Sequence, residues 1–346
     1  MHFDKITYYN NSKDNLEYLW VQLDQNMRAD DSQTPLAKSG GAEAWLTPNS
    51  FKSTYLSENK GFGFNIEKVE SNGKPLSHFI NRTMMRVNLP KALAPGENFK
   101  FSIKWNYKIN DINIDGGRSG LETFPDGNNN YTIAQFFPRL AVYNNVEGWQ
   151  NMQFWGRSEW ALEFGDYEVN LTVPADHIVD ATGVLQNEKE VLTKTQRNRW
   201  ATARKTFDNP VMIVTQKEAE KAEKGRATGT KTWKFKAEKV RDFAFASSRK
   251  YIWDAMATNI NGKTVMAVSL YPKEGNPLWE EHSTRAVATT LIEYSKLTFD
   301  KYHIVDSSNK EIQEKLNSYA KDGWRLVSTD ASNFGAAMYI YLYFEK

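Results

Sequence analysis

From Phe99 to Ile109 apolar residues occupy every second position, Phe99, Phe101, Ile103, Trp105, Tyr107 and Ile109, with polar side chains between them. A period of two is that of a β-strand with one buried and one wet face, and no helix keeps such a pattern on one side. The runs Lys5 to Tyr9, Leu16 to Leu23, Phe62 to Val69, Met84 to Leu89 and Tyr167 to Val173 mix β-branched and aromatic residues and predict further strands. Between them lie Asn10-Asn11-Ser12, Ser71-Asn72-Gly73, Pro95-Gly96 and Pro125-Asp126-Gly127, which supply the backbone angles that tight turns need. The fold class expected is mainly β, an antiparallel β-sandwich or saddle. The 11 Trp, 16 Tyr and 19 Phe residues agree with it, because sheets bury rings.

The 346 residues are length enough for two or three domains at about 150 each. Lys+Arg 44 against Asp+Glu 42 gives a net charge of +2, so a nucleic-acid partner held by a basic field is not expected. There are no cysteines, which removes disulfides, thiolate metal sites and Cys nucleophiles together. The sequence has no apolar run long enough to span a membrane, and Met1-His-Phe-Asp-Lys5 does not begin a secretion signal. As written, the chain is expected to be cytoplasmic, with no membrane partner.

Residues 216–231 are charged and nearly devoid of large apolar groups, which predicts a solvated hairpin loop or a frayed helical turn. A long helix is predicted from Leu278 to Leu297, with Leu278, His282, Ala286, Thr289, Ile292 and Leu297 near one face. Asn276 suits its N-cap, Pro277 its first turn, and Glu280 and Glu281 oppose its positive end. Beyond it, Tyr302 to Asp306 reads as a strand and Asn309 to Ala320 as a helix closed by Gly323. Arg325 to Thr329 and Met338 to Phe344 read as two more strands, making a small β-α-β-β unit.

Catalytic motifs are scarce. The histidines at 2, 78, 177, 282 and 303 cannot form the paired imidazoles of H-E-x-x-H, which needs two at i and i+4. Gly116-Gly-Arg-Ser-Gly120 is one residue short of a nucleophile elbow and reads as a flexible loop. Asp176-His177 and Glu281-His282 each hold a potential general base, but with no assignable partner both read as surface or boundary residues.

Tyr131 to Gly183 resembles the substrate-side domain of aminopeptidase N-like (gluzincin) zinc metallopeptidases. The residues that carry the likeness are Ile133-Ala-Gln-Phe-Phe-Pro-Arg-Leu-Ala-Val-Tyr143, Gly148-Trp149-Gln150, Glu163-Phe-Gly-Asp-Tyr-Glu-Val169 and Val173-Pro-Ala-Asp-His-Ile-Val-Asp-Ala-Thr-Gly183. Lys5 to Ser12 and Leu19 to Asn26 look like earlier strands of that domain. Val240 to Ala246 resembles its junction with a catalytic domain, and Tyr271 to Phe299 the start of that domain. Relatives then continue into a G-x-M-E-N/Y-P strand, the H-E-x-x-H helix and a downstream Glu ligand. Here Lys301-Tyr-His-Ile-Val305 follows instead, and the tail resembles a small bacterial domain of unknown function through Lys301-Tyr302 and Asp322-Gly-Trp-Arg-Leu-Val-Ser328.

The resemblance implies three regions. Residues 1–244 form an amino-terminal β domain, 245–300 a truncated catalytic stub of α/β type, and 301–346 a small α+β domain. It implies a chain that is non-catalytic alone, with no cofactor, zinc being expected only in full-length relatives, which are typically exported. It also implies that Gln135 contacts the free α-amine of a peptide, and that Tyr143, Trp149 and Trp155 either line a cleft or pack in the core. Expected partners are peptide N-termini, or a protein or second copy meeting helix 278–297 and residues 301–346. Two alternatives stand: an aromatic-rich module for carbohydrate or protein, and half of an aminopeptidase completed by another chain.

Overall fold

The structure is a computed structural model and describes residues 2–32, 34, 48, 60–144, 146–155, 162–300, 325–334 and 337–345. The chain is mainly β, with 45% of residues in strands and 20% helical, and its sheets are antiparallel. Two compact units divide it.

The first unit comprises residues 1–197, 214–252 and 270–274. The alternating run predicted from Phe99 forms the strand Asn98–Tyr107, flanked by His2–Tyr9 on one side and Phe64–Ser71 on the other. Phe101, Ile103 and Trp105 are buried, while Lys104 pairs with Glu67 at 2.6 Å across the outer face. The strand stops two residues before Ile109. Asn110 is buried and donates to the Gly116 carbonyl at 3.1 Å, which turns the chain into the short helix Ile112–Asp115. At the predicted Ser71-Asn72-Gly73 turn, φ is +49° at Asn72 and +75° at Gly73, as a two-residue hairpin requires.

A second sheet orders Arg139–Leu140, Leu16–Gln22, Met84–Leu93 and His78–Asn81, and buries Leu19, Val21, Met85 and Val87. A third orders Ile178–Ala181, Phe245–Ser248, Asn129–Ile133 and Gly120–Thr123. A fourth has Thr230–Val240 between Gly165–Pro174 and Val184–Leu185.

The segment expected to be a loop or frayed turn instead begins with a helix, Gln216–Glu223. Thr215 and Glu218 form a reciprocal capping box, and Ala219 and Glu223 face inward. Composition misled because the inward charge, Glu223, meets two lysines from distant parts of the chain.

The second unit comprises residues 198–213, 253–269 and 275–346. Its sheet orders Val211–Val214, Ile252–Ile260 and Lys263–Tyr271. The predicted long helix is Leu278–Asp300, but it turns a different face to the protein. Ala288, Val287 and Leu291 pack with Met256 and Ala267, and the Thr284 hydroxyl donates to the buried carboxylate of Asp254. Leu278 and Trp279, by contrast, are 62% and 45% exposed, and His282, Ala286 and Thr289 are exposed with them. Small residues let the helix lie close to the strand, a packing that a search for large apolar residues overlooks.

Arg325–Phe334 and Ala337–Glu345 pair antiparallel, with Leu326 opposite Phe344, and both strands run longer than predicted. The predicted strand from Tyr302 and the helix from Asn309 to Ala320 lie outside the described residues. Among those that are described, no helix is long and apolar enough to cross a membrane.

Candidate functional site

Gln135 follows the strand Asn129–Ile133 and takes a left-handed backbone, φ +53°, which a residue with a side chain adopts only when its surroundings impose it. The fixings lie on both sides. Ser119 accepts from the Ala134 amide at 2.9 Å and donates to its carbonyl at 3.1 Å. Gln25 donates to the Gln135 carbonyl at 2.8 Å. Phe136 is buried against Phe245 and Phe137, with centroids 5.1 Å away in each case, and Phe137 meets Tyr167 at 5.8 Å. The Gln135 side chain is half-buried, and among the described residues its amide makes no hydrogen bond. It offers one acceptor oxygen and two donor hydrogens, and no titratable proton.

On the same sheet the pairing sets Asp180, Ala246, Thr132 and Gly120 in one row across four strands. Burial pushes the Asp180 carboxyl up to about 6, opposed by a hydrogen bond from the Ala181 amide. At neutral pH it is an anion with little compensation. Gly120 has no room for a side chain, since a Cβ there would lie 2.4 Å from the Asn110 carbonyl oxygen. The end of the glycine-rich loop, Ser119-Gly120, thus fastens the segment before Gln135.

Two ion clusters that the sequence reading did not single out hold this region. Arg139 is buried and binds Asp24 at 2.8 Å and Asp242 at 3.0 Å. Burial pushes Asp24 up, and Arg139 opposes it. Lys250 is wholly buried and reaches Asp126 at 2.9 Å, Glu274 at 2.9 Å and Glu223 at 3.1 Å, while Lys273 also binds Glu223. Burial lowers the Lys250 pKa, but the three carboxylates outweigh it and hold the ammonium above the usual lysine range. The only sequence signal was the apolar run Tyr251-Ile-Trp253 directly after it.

The remaining candidates are placed as follows. His177 is buried, with Nδ1 2.9 Å from the Ser247 hydroxyl, and burial first and Arg249 second depress its pKa to about 4. It is a neutral packing residue at physiological pH. Asp176 binds Arg249 at 3.0 Å. His282 is exposed, 3.6 Å from Glu281. Tyr143 and Trp149 face each other across a small hairpin at 5.1 Å, and the Tyr143 hydroxyl donates to Asp14 at 2.6 Å. Both rings are half-buried, as is Trp155. An open groove of about 480 Å³ adjoins that hairpin at Asn144, Glu147, Gln150 and Arg241, and does not include Gln135. Among the described residues no group of three His, Asp or Glu side chains is arranged to hold a metal ion.

No protein-family description and no curated protein matches the sequence. Solved structures do align with it. The M1 zinc metallopeptidase from Deinococcus radiodurans matches at 12% identity and a TM-score of 0.40, over 78% of this chain and 43% of that one. A point mutant of that enzyme bound to a Tyr-Ser-Ala substrate matches at 12% identity and a TM-score of 0.40, over 82% and 47%. The chain therefore spans less than half the length of these neighbours.

Proposed function

We propose that the chain is the substrate-side portion of an aminopeptidase-like architecture, which binds the free N-terminus of peptides through Gln135 and does not cleave them alone. One observation carries the reading: Gln135 is held in an imposed conformation, by fastenings on both sides, with its side-chain amide unengaged. The Phe136-Phe137 pair of the motif that makes the sequence resemble such peptidases supplies the fastening on one side, and Ser119 and Gln25 supply the others. A neutral amide accepts one hydrogen bond from an α-ammonium and adds no charge, so binding is weak. In this reading residues 1–244 are the binding domain, 245–300 a catalytic stub and 301–346 an appended domain.

The test is titration with a peptide bearing a free N-terminus and with the same peptide N-acetylated. Binding is expected only for the first, weakened at least fivefold by Gln135→Ala and strengthened by Gln135→Glu. Equal binding of the two peptides overturns the reading. Chelator-sensitive turnover of aminoacyl chromogenic substrates, with zinc added, overturns its non-catalytic half.

A second reading, completion by another chain, draws on the exposure of Leu278 at 62%, Trp279 at 45% and Tyr294 at 50% along one helix. The third, a ring-lined docking sheet, fares worse, because Trp105, Trp233 and Trp253 are spent in the core.

A further inference from the structure

The strand Gly165–Pro174 ends its sheet, with Thr230–Val240 on one side and no strand on the other among the described residues. At 10 residues it is long for an edge, against 2 for Val184–Leu185 at the opposite end of the same sheet. Alternate backbone groups of an edge strand point outward, and a row of them is a template for another strand. Between Tyr167 and Val173 no backbone amide or carbonyl bonds anything but the neighbouring strand, among the described residues.

Proteins commonly blunt such edges by bulges, proline or charge. Here the one register shift falls at Gly165/Tyr167 and the proline comes last, at Pro174, which leaves charge. Asp166, Glu168, Asn170 and Thr172 are exposed on one face of the strand, while Leu171 is buried on the other and Val169 half-buried. The acids are incompletely balanced. Lys236 stands opposite Glu168, but its ammonium lies 2.8 Å from Glu238, which adds a third carboxylate to that neighbourhood. Asp166 accepts only the backbone amide of Lys239, at 2.9 Å.

We propose that this edge accepts an extended peptide by β-strand addition, one that carries Lys or Arg at alternate positions on one face and aliphatic residues on the other. Main-chain bonds to Tyr167–Val173 supply affinity, and the basic side chains, aligned over Asp166 and Glu168, supply selection. A second copy of the chain fits less well, since the strand it would lay alongside carries Asp166 and Glu168 itself, while Lys234 and Lys236 stand one strand further in, beside Glu190 and Glu238.

The probe is acetyl-Lys-Val-Lys-Val-Lys-Val-Lys-Val-Lys-amide, fluorescently labelled and titrated into the full chain. It has no free α-amine, so its binding is independent of Gln135 and must survive Gln135→Ala unchanged. Saturable binding is expected, weakened about tenfold by Asp166→Lys with Glu168→Lys, both exposed positions, as the reversal of two cross-strand charge pairs implies. Backbone N-methylation of the peptide gives the decisive comparison. Methylating the residues of one parity is expected to abolish binding, and methylating the other parity to leave it within about twofold, because only one set of amides faces the edge. Equal behaviour of the two sets reduces the interaction to charge and overturns strand addition, as does the absence of saturable binding. A concentration-dependent dimer whose formation blocks binding of the peptide assigns the edge to a second copy instead.

Discussion

Asp4 shows what one half-buried carboxyl does to the first unit. It sits on the strand His2–Tyr9 opposite Ile103, and the Trp105 indole donates to it at 2.7 Å. Burial raises its pKa from 3.8 to about 7, against the lowering effect of that one bond. The folded pKa lies above the unfolded value, so the stability it contributes is complete below about pH 4 and is lost as pH rises through 7. At about 1.4 kcal/mol per unit, the swing is on the order of 4 kcal/mol. Asp4→Asn keeps an acceptor for the indole and removes the titration. Urea unfolding at pH 5 and pH 8 is therefore expected to show the variant gaining on the parent as pH rises, and an unchanged difference would refute the assignment. Comparing the two proteins matters because Asp126 and Asp176 have depressed pKa values and act in the opposite sense, losing their stabilisation in acid. Nothing local marks Asp4 for this role. Its burial comes from pairing with a strand about a hundred residues later, just as the fixing of Gln135 depends on Gln25 and Ser119.

Among the elements, the helix Gln216–Glu223 makes the plainest case that charge composition alone is a poor guide. Its capping box satisfies two amides that would otherwise face water unpaired. Thr215→Ala is expected to cost about 1 kcal/mol in urea unfolding, whereas a solvated loop would lose nothing measurable. The far end of the helix is fixed by Lys250. Replacing it by Met leaves the buried Glu223 with Lys273 and leaves Asp126 and Glu274, 39% and 43% exposed, to water, so a loss of about 1–3 kcal/mol is expected from the hydrogen bonds to charge that disappear. A loss under about 1 kcal/mol would mean that water enters the cluster and screens it. The elements legible in the sequence are those whose pattern is self-contained: the strand at Asn98–Tyr107 by its period of two, the hairpin at Asn72-Gly73 by its chemistry, the long helix by its freedom from Gly and Pro. What was not legible required a partner. The buried face of Leu278–Asp300 is set by small residues and by the bond from Thr284 to Asp254, and neither enters a hydrophobic period.

For the whole molecule, connectivity decides what can be separated. The chain passes between its two compact units at five points, after residues 197, 213, 252, 269 and 274. No single cut therefore releases either unit intact. Residues 198–213 depend on a segment that follows them at a distance: the Trp200 ring packs at a tilt against Trp253, 5.2 Å between centroids, and the Thr206 carbonyl accepts from the Ala257 amide at 2.8 Å. The strand Val211–Val214 pairs beside Ile252–Ile260. A fragment ending at residue 252 removes those partners and leaves residues 198–213 attached without a core to join. Within that stretch lie Arg199, Arg204 and Lys205, three sites for trypsin. In the full chain Arg199 is held by the Ile213 carbonyl at 3.0 Å and Arg204 lies over the Trp200 ring. Limited trypsinolysis is expected to cut the fragment between residues 199 and 205 at least tenfold faster than the full chain, because cleavage needs a locally opened backbone and opening no longer breaks the packing on Trp253 and Ala257. Equal rates would mean that the earlier segment folds without the later one, and that a boundary in this chain follows sequence order after all.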